Sequence, residues 1–105
     1  MKNLLLDLVN NTNTILSVRE KLLSDCGFKA HIDVDTEATG FWLKKEVFPA
    51  EVCYIGIHVR PGQGVYLKID SPIKCKNFEG TPSFEEIMGQ IDEFMKEIYG
   101  EGWDK

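Results

Sequence analysis

In Val52-Cys53-Tyr54-Ile55-Gly56-Ile57-His58-Val59-Arg60 every second residue is apolar: Cys53, Ile55, Ile57 and Val59. Side chains alternate across a strand, so this run reads as a strand with one buried face. Pro61-Gly62-Gln63-Gly64 is a strong turn, and Val65-Tyr66-Leu67-Lys68-Ile69-Asp70 repeats the pattern with Val65, Leu67 and Ile69 inward. Matching the apolar faces sets Val59 opposite Val65 and leaves Pro61-Gly62-Gln63 at the loop tip. A slip of one residue would turn every apolar side chain to the wrong face, which fixes the hairpin register.

Towards the N-terminus, Phe41 to Val47 reads as another strand with Phe41 and Leu43 on the core side, interrupted at Phe48-Pro49-Ala50. Before it, Phe28, Ala30, Ile32 and Val34 alternate with Lys29, His31, Asp33 and Asp35. Residues 3–26 have helical spacing in Leu5, Leu8, Val9, Thr12, Leu16, Leu23 and Cys26, and Gly27 is a plausible stop. Asn10 to Thr14 are weak helix formers, so an interruption there stays open.

Towards the C-terminus, residues 71–82 read as a loop holding Pro72, Gly80 and Pro82. Ser83 and Glu86 then form a capping-box pattern. Phe84, Ile87, Met88, Ile91, Phe94, Met95 and Ile98 make one helical stripe that Gly100 ends. The expected architecture is a single α+β domain over residues 1–105: an N-terminal helix, a four-stranded antiparallel meander and a C-terminal helix. Each element has one apolar face, so both helices go on one face of the sheet, giving a two-layer sandwich.

The chain has 105 residues, is 43% hydrophobic and 28% charged, and carries 12 basic against 17 acidic side chains, a net charge of −5. That composition is globular, and the acidic balance argues against direct nucleic-acid binding, which depends on neutralising phosphates. Cys26, Cys53 and Cys75 are scattered and odd in number, with no C-x-x-C, so neither a disulfide scaffold nor a thiolate zinc site is expected. Leu4, Leu5, Leu6, Leu8 and Val9 are interrupted by Asp7 and followed by Asn10, Asn11 and Asn13, which does not make a secretory signal. No apolar run approaches the length of a membrane span. A cytoplasmic protein with no membrane partner is the expectation.

With the helices on one face, the other face of the sheet carries Trp42, Lys44, Tyr54, His58, Arg60, Tyr66 and Lys68, together with His31, Asp33 and Asp35. Two rows are expected across it: Asp33, Trp42, Gly56, Lys68, and Asp35, Gly40, His58, Tyr66. Such a face is ordinarily a solvated surface of cross-strand pairs. It also concentrates Trp, Tyr and Arg, the types that dominate interface energetics. Catalytic and metal signals are weak. His31-x-Asp33-x-Asp35 spaces its members about 7 Å apart along a strand, too far for one ion without help from neighbours. Cys53 points inward and His58 outward, so they make no nucleophile–base pair. No cofactor, metal site or catalytic residue is expected.

The net charge is unevenly placed. Residues 1–82 hold ten acidic and ten basic side chains, whereas residues 83–105 hold seven acidic and two basic. The acidic helix, with Glu86, Glu93, Glu97 and Glu101, is a second candidate surface, suited to a basic partner.

Trp42-Leu43-Lys44-Lys45, Tyr54-Ile55-Gly56-Ile57 and Val65-Tyr66-Leu67-Lys68 resemble the β-hairpins of some PD-(D/E)XK nuclease-like proteins, over less than a third of the chain. The acidic residue followed by Glu-x-Lys that carries metal chemistry there has no clear counterpart, so the resemblance implies no activity and no site residue. The leading expectation is a non-enzymatic protein-interaction module, an adaptor or chaperone-like partner, working through the open sheet face. The alternative is a small acidic inhibitor of a nucleic-acid-binding enzyme, of the mobile-element or phage anti-defence type, working through residues 83–105. A small-ligand binder or enzyme comes third, and self-association into a homodimer is compatible with the first.

Overall fold

A computed structural model describes residues 4–31, 39–48, 51–60, 64–80 and 82–105. The order is α1 (Leu4–Asp25), β1 (Lys29–His31), β2 (Thr39–Phe48), β3 (Glu51–Arg60), β4 (Gly64–Asp70), β5 (Cys75–Gly80) and α2 (Phe84–Tyr99). The strands form one antiparallel sheet in the order β1-β2-β3-β4-β5. Val59 pairs with Val65 as expected, and Arg60 with Gly64. The tip residues 61–63, Pro49-Ala50 and the acidic members Asp33 and Asp35 lie outside the described residues, as do Ile32 and Val34.

The core is the parity set of the central strands roofed by both helices. Leu43, Cys53, Ile55, Ile57, Val59, Val65, Leu67 and Ile69 are buried against Ile15, Val18 and Leu22 of α1 and Ile87, Ile91, Phe94 and Met95 of α2. Both helices therefore lie on the same face of the sheet. The opposite face, carrying Trp42, Tyr54, His58 and Tyr66, is half-buried.

Three expectations need correction. The segment read as a loop contains β5, which pairs with β4 from Val65↔Gly80 to Asp70↔Cys75. A single inward apolar residue, Phe78 opposite Leu67, left no alternation to detect, and an edge strand is held by one ladder of backbone bonds that any sequence can supply. Ala30 is exposed although it pairs with buried Leu43 on the core side, because β1 lies at the sheet edge, where Ala30 is not covered. Finally, the buried stripe of α1 is Ile15, Val18 and Leu22, continued by Cys26, whereas Leu5, Val9 and Leu16 are exposed.

α1 is continuous through Asn10–Thr14. Thr12, Thr14 and Ser17 turn their hydroxyls back onto the carbonyls of Leu8, Asn10 and Asn13 at 2.7, 3.0 and 3.1 Å, so these side chains bond within the helix instead of capping a break. Gly27, at φ 77°, ends the helical run in a conformation that a side chain would strain. α2 starts with the full capping box: Ser83 Oγ accepts from the Glu86 N–H at 3.2 Å, and the Glu86 carboxylate accepts from the Ser83 N–H.

Candidate functional site: the open sheet face

Residues directly opposite in a ladder share a face, so the pairing lays out the uncovered surface row by row. One row runs Lys29, Lys44, Tyr54, Asp70, Cys75. The next is His31, Trp42, Gly56, Lys68, Asn77, and the third is Gly40, His58, Tyr66, Glu79. The sequence placed Trp42, Gly56 and Lys68 together, and Gly40, His58 and Tyr66 together. It gave Asp33 the position beside Trp42 that His31 holds, a slip of two residues that keeps the same face.

Trp42 is the centre of this surface. Its indole lies flat over Gly56: a Cβ built there would sit 2.7 Å from Cε2 and Cη2 of the ring. Only a residue without a side chain lets the ring lie down on the strand, so Gly56 is half of the Trp42 site. On either side two ring pairs form. His31 reaches across β2 to Tyr54 with centroids 5.0 Å apart and planes at 61°, an edge-on contact. His58 tilts over Tyr66 at 4.9 Å. Trp42, Lys44, Tyr54, His58, Tyr66 and Lys68 are all half-buried. Arg60 ends β3 opposite Gly64, and its side chain lies outside the described set. The ladder places Lys29, Lys44, Arg60 and Lys68 on this face with Glu46, Asp70 and Glu79, so charges of both signs are mixed across it. Among the described residues no three His, Cys, Asp or Glu side chains converge as they would around a metal ion.

The second candidate surface is less uniform than its charge count suggested. Glu86 is tied into the capping box. Glu97 meets Lys74 at 3.0 Å, and Lys96 bridges Asp92 at 3.1 Å and Glu101 at 3.7 Å. Glu93 is exposed on α2. A hydrogen bond from the Trp103 indole N–H, with the Lys96 ammonium beside it, holds the Asp92 carboxyl below its ordinary range. The acids are therefore interleaved with lysines.

Sequence reasoning overlooked Lys45, which lies on the core side of β2 opposite Cys53 and is only 8% exposed. Its ammonium donates to the Cys26 carbonyl at 2.6 Å and to the Trp103 carbonyl, and lies 5.8 Å from the ring centroids of both Phe28 and Trp103. Burial pulls its pKa down. The signal was available: alternation from Phe41 through Leu43 puts Lys45 on the inward side. The buried thiol of Cys53, 3.7 Å from the Met95 sulfur, is pushed up to about 12 by burial, which makes it a packing residue and not a nucleophile.

A surface groove of about 830 Å³ runs between the outer side of α1 and Phe84 at the start of α2, past Asn13, Leu16, Ser17 and Glu20. No helix among the described residues is long and apolar enough to cross a membrane. Compared with protein-family models, curated proteins and solved structures, the chain matches none.

Proposed function

We propose that the protein is a non-enzymatic interaction module of the adaptor or chaperone-like kind, acting in the cytoplasm, which binds another protein through the open sheet face. The observation that carries this reading is the flat Trp42 on Gly56, flanked by the His31–Tyr54 and His58–Tyr66 pairs, on the face that neither helix covers. Large rings held in place lose little freedom on binding, and aromatic anchors dominate interface energies. The basic and acidic side chains mixed around them give a polar rim that fixes orientation. Capture of a partner from the native host, followed by titration with purified components, tests the reading. Trp42→Ala should weaken binding by about 2 kcal/mol or more, roughly 30-fold in Kd, and disturb folding less than a core substitution. Unchanged affinity would return Trp42 to a purely structural role.

A second reading, an acidic inhibitor of a nucleic-acid-binding enzyme, is favoured by the confinement of the net charge to residues 83–105. If α2 meets a basic surface, reversing Glu93 and Glu97 to lysine should slow association severalfold at low salt and much less near molar salt. The melting temperature should hardly move, because exposed charges contribute only about 0–1 kcal/mol. An association rate indifferent to both changes would remove this reading.

A further inference from the structure

α1 carries two apolar stripes and the core uses one. Ile15, Val18 and Leu22 face the sheet, while Leu5, Val9 and Leu16 are 70%, 48% and 52% exposed. Leu6, 54% exposed, lies off to one side, but the other three share a line. Leu5, Val9, Thr12 and Leu16 are separated by four, three and four residues, the spacing of a coiled-coil seam, so the natural occupant of this flank is another helix. Thr12 does not spoil the seam, since its hydroxyl is already bonded to the Leu8 carbonyl at 2.7 Å.

We propose that this flank is a self-association surface, on which α1 of a second copy of the chain packs antiparallel. Three observations fit a second copy of the chain. The four-three-four spacing reads the same in both directions, and the residue order Leu, Val, Thr, Leu is palindromic in shape, because valine and threonine are nearly isosteric. Antiparallel pairing about a two-fold axis then sets Leu5 beside the other copy's Leu16 and Val9 beside its Thr12. Second, Leu8 to Val18 contains no charged residue. A two-fold axis brings each group near its own copy, so charge at the centre would repel itself, and in a chain of net charge −5 this stretch is free of that penalty. Third, the area suits a weak dimer. The three exposed side chains present on the order of 300 Å² of apolar surface per copy. A pair therefore brings together on the order of 600 Å² of apolar surface, with polar shoulders beside it, which is the size of a weak, reversible interface. The groove beside Leu16 and Phe84 lies where the other copy's first turn arrives.

Sedimentation of the full chain from about 10 µM to about 1 mM tests this. A reversible monomer–dimer equilibrium is expected. Leu16→Glu, which places two charges in one symmetric seam, should raise the dissociation constant by about 100-fold or more, while Trp42→Ala leaves it unchanged. Melting at low concentration shows that the Leu16→Glu chain is folded; if it is not, Val9→Asp serves instead. In a Cys75→Ser background, spin labels placed at Glu20 should lie about 30 Å apart in the antiparallel dimer, against roughly 10–15 Å in a parallel one. A chain monomeric at millimolar concentration, a dimer indifferent to Leu16→Glu and Val9→Asp, or the short label distance would overturn the proposal. These measurements need no partner protein, so their failure leaves the sheet-face reading untouched, and the converse holds.

Discussion

α1 and α2 roof the same sheet, and they use their apolar residues differently. α2 spends its stripe on the core: Ile87, Ile91, Phe94 and Met95 are all buried, and the helix begins with a complete capping box. α1 is longer, 22 residues against 16, yet has Leu5, Leu6, Val9 and Leu16 at the surface. A helix with one apolar stripe has one way to lie on a sheet. A helix with two must have the choice made for it by the groove it fills, which here takes Ile15, Val18 and Leu22.

The sharpest way to break this comparison is to empty matched positions. Ile91→Ala on α2 and Ile15→Ala on α1 should each cost roughly 2–5 kcal/mol, because each empties a packed site. Leu16→Ala, one residue further along α1, should change the stability of the monomer by less than about 0.5 kcal/mol. Denaturant melts at concentrations where the chain is monomeric decide it; equal losses at Ile15 and Leu16 would erase the distinction between the stripes.

Alkali, read as a difference between the wild-type chain and Cys53→Ala, offers a probe of the packing beneath α2. Cys53 lies against Met95 of α2, and burial raises its thiol from 9.0 to about 12. Between those values the unfolded chain gives up the proton and the folded chain keeps it, so stability present below pH 9 is lost as the pH rises towards 12. Lys45, paired with Cys53 across the ladder, has a lowered pKa and works in the opposite sense, but burial, not Cys53, is the largest cause of its shift, so most of its contribution is shared by the wild-type chain and Cys53→Ala. The stability advantage of wild type over Cys53→Ala should therefore shrink above pH 9 in melts on either side of that value. A constant difference would mean that the thiol is hydrated.

The smallest effect concerns the helix start. Ser83→Ala removes the acceptor for the Glu86 N–H and should cost about 1 kcal/mol. Thr14→Ala, in the polar middle of α1, removes only an exposed back-bond to Asn10 and should be neutral or stabilising by a few tenths of a kcal/mol. Thermal melts of the two variants would separate a capped helix from one whose hydroxyls are dispensable.

What could be read from the residues follows the same division. The β3–β4 register and the α2 cap were legible because each rests on a strict local pattern, Val59 against Val65 and Ser83 with Glu86. The grouping of Trp42, Gly56 and Lys68 follows from that register once Phe41 and Leu43 are aligned on the core side of β2. β5 was illegible because a ladder formed by backbone groups leaves no mark on Lys76, Asn77 and Glu79. The buried stripe of α1 is not legible because Leu5, Val9 and Leu16 are as regularly spaced as Ile15, Val18 and Leu22, and periodicity does not say which of two stripes meets the sheet. The role of Lys45 is hidden in the sequence because its carbonyl acceptors lie 19 and 58 positions away.

That lysine also governs how the molecule comes apart. The turn after α2 would ordinarily fray, since Gly100, Glu101 and Gly102 are exposed and lie past the last helical turn. Lifting Trp103 away, however, strips an acceptor from a buried cation and removes the indole face beside it, a loss of the kind that leaves a polar group unmet in the interior. The same cation holds the end of α1 through Cys26. Local opening at one end of the chain is thereby coupled to opening at the far end of the first helix, and the two join one cooperative unit with β2. Amide protons around Trp103 should then exchange with solvent as slowly as those around Leu22, and Lys45→Ala should release both sets together.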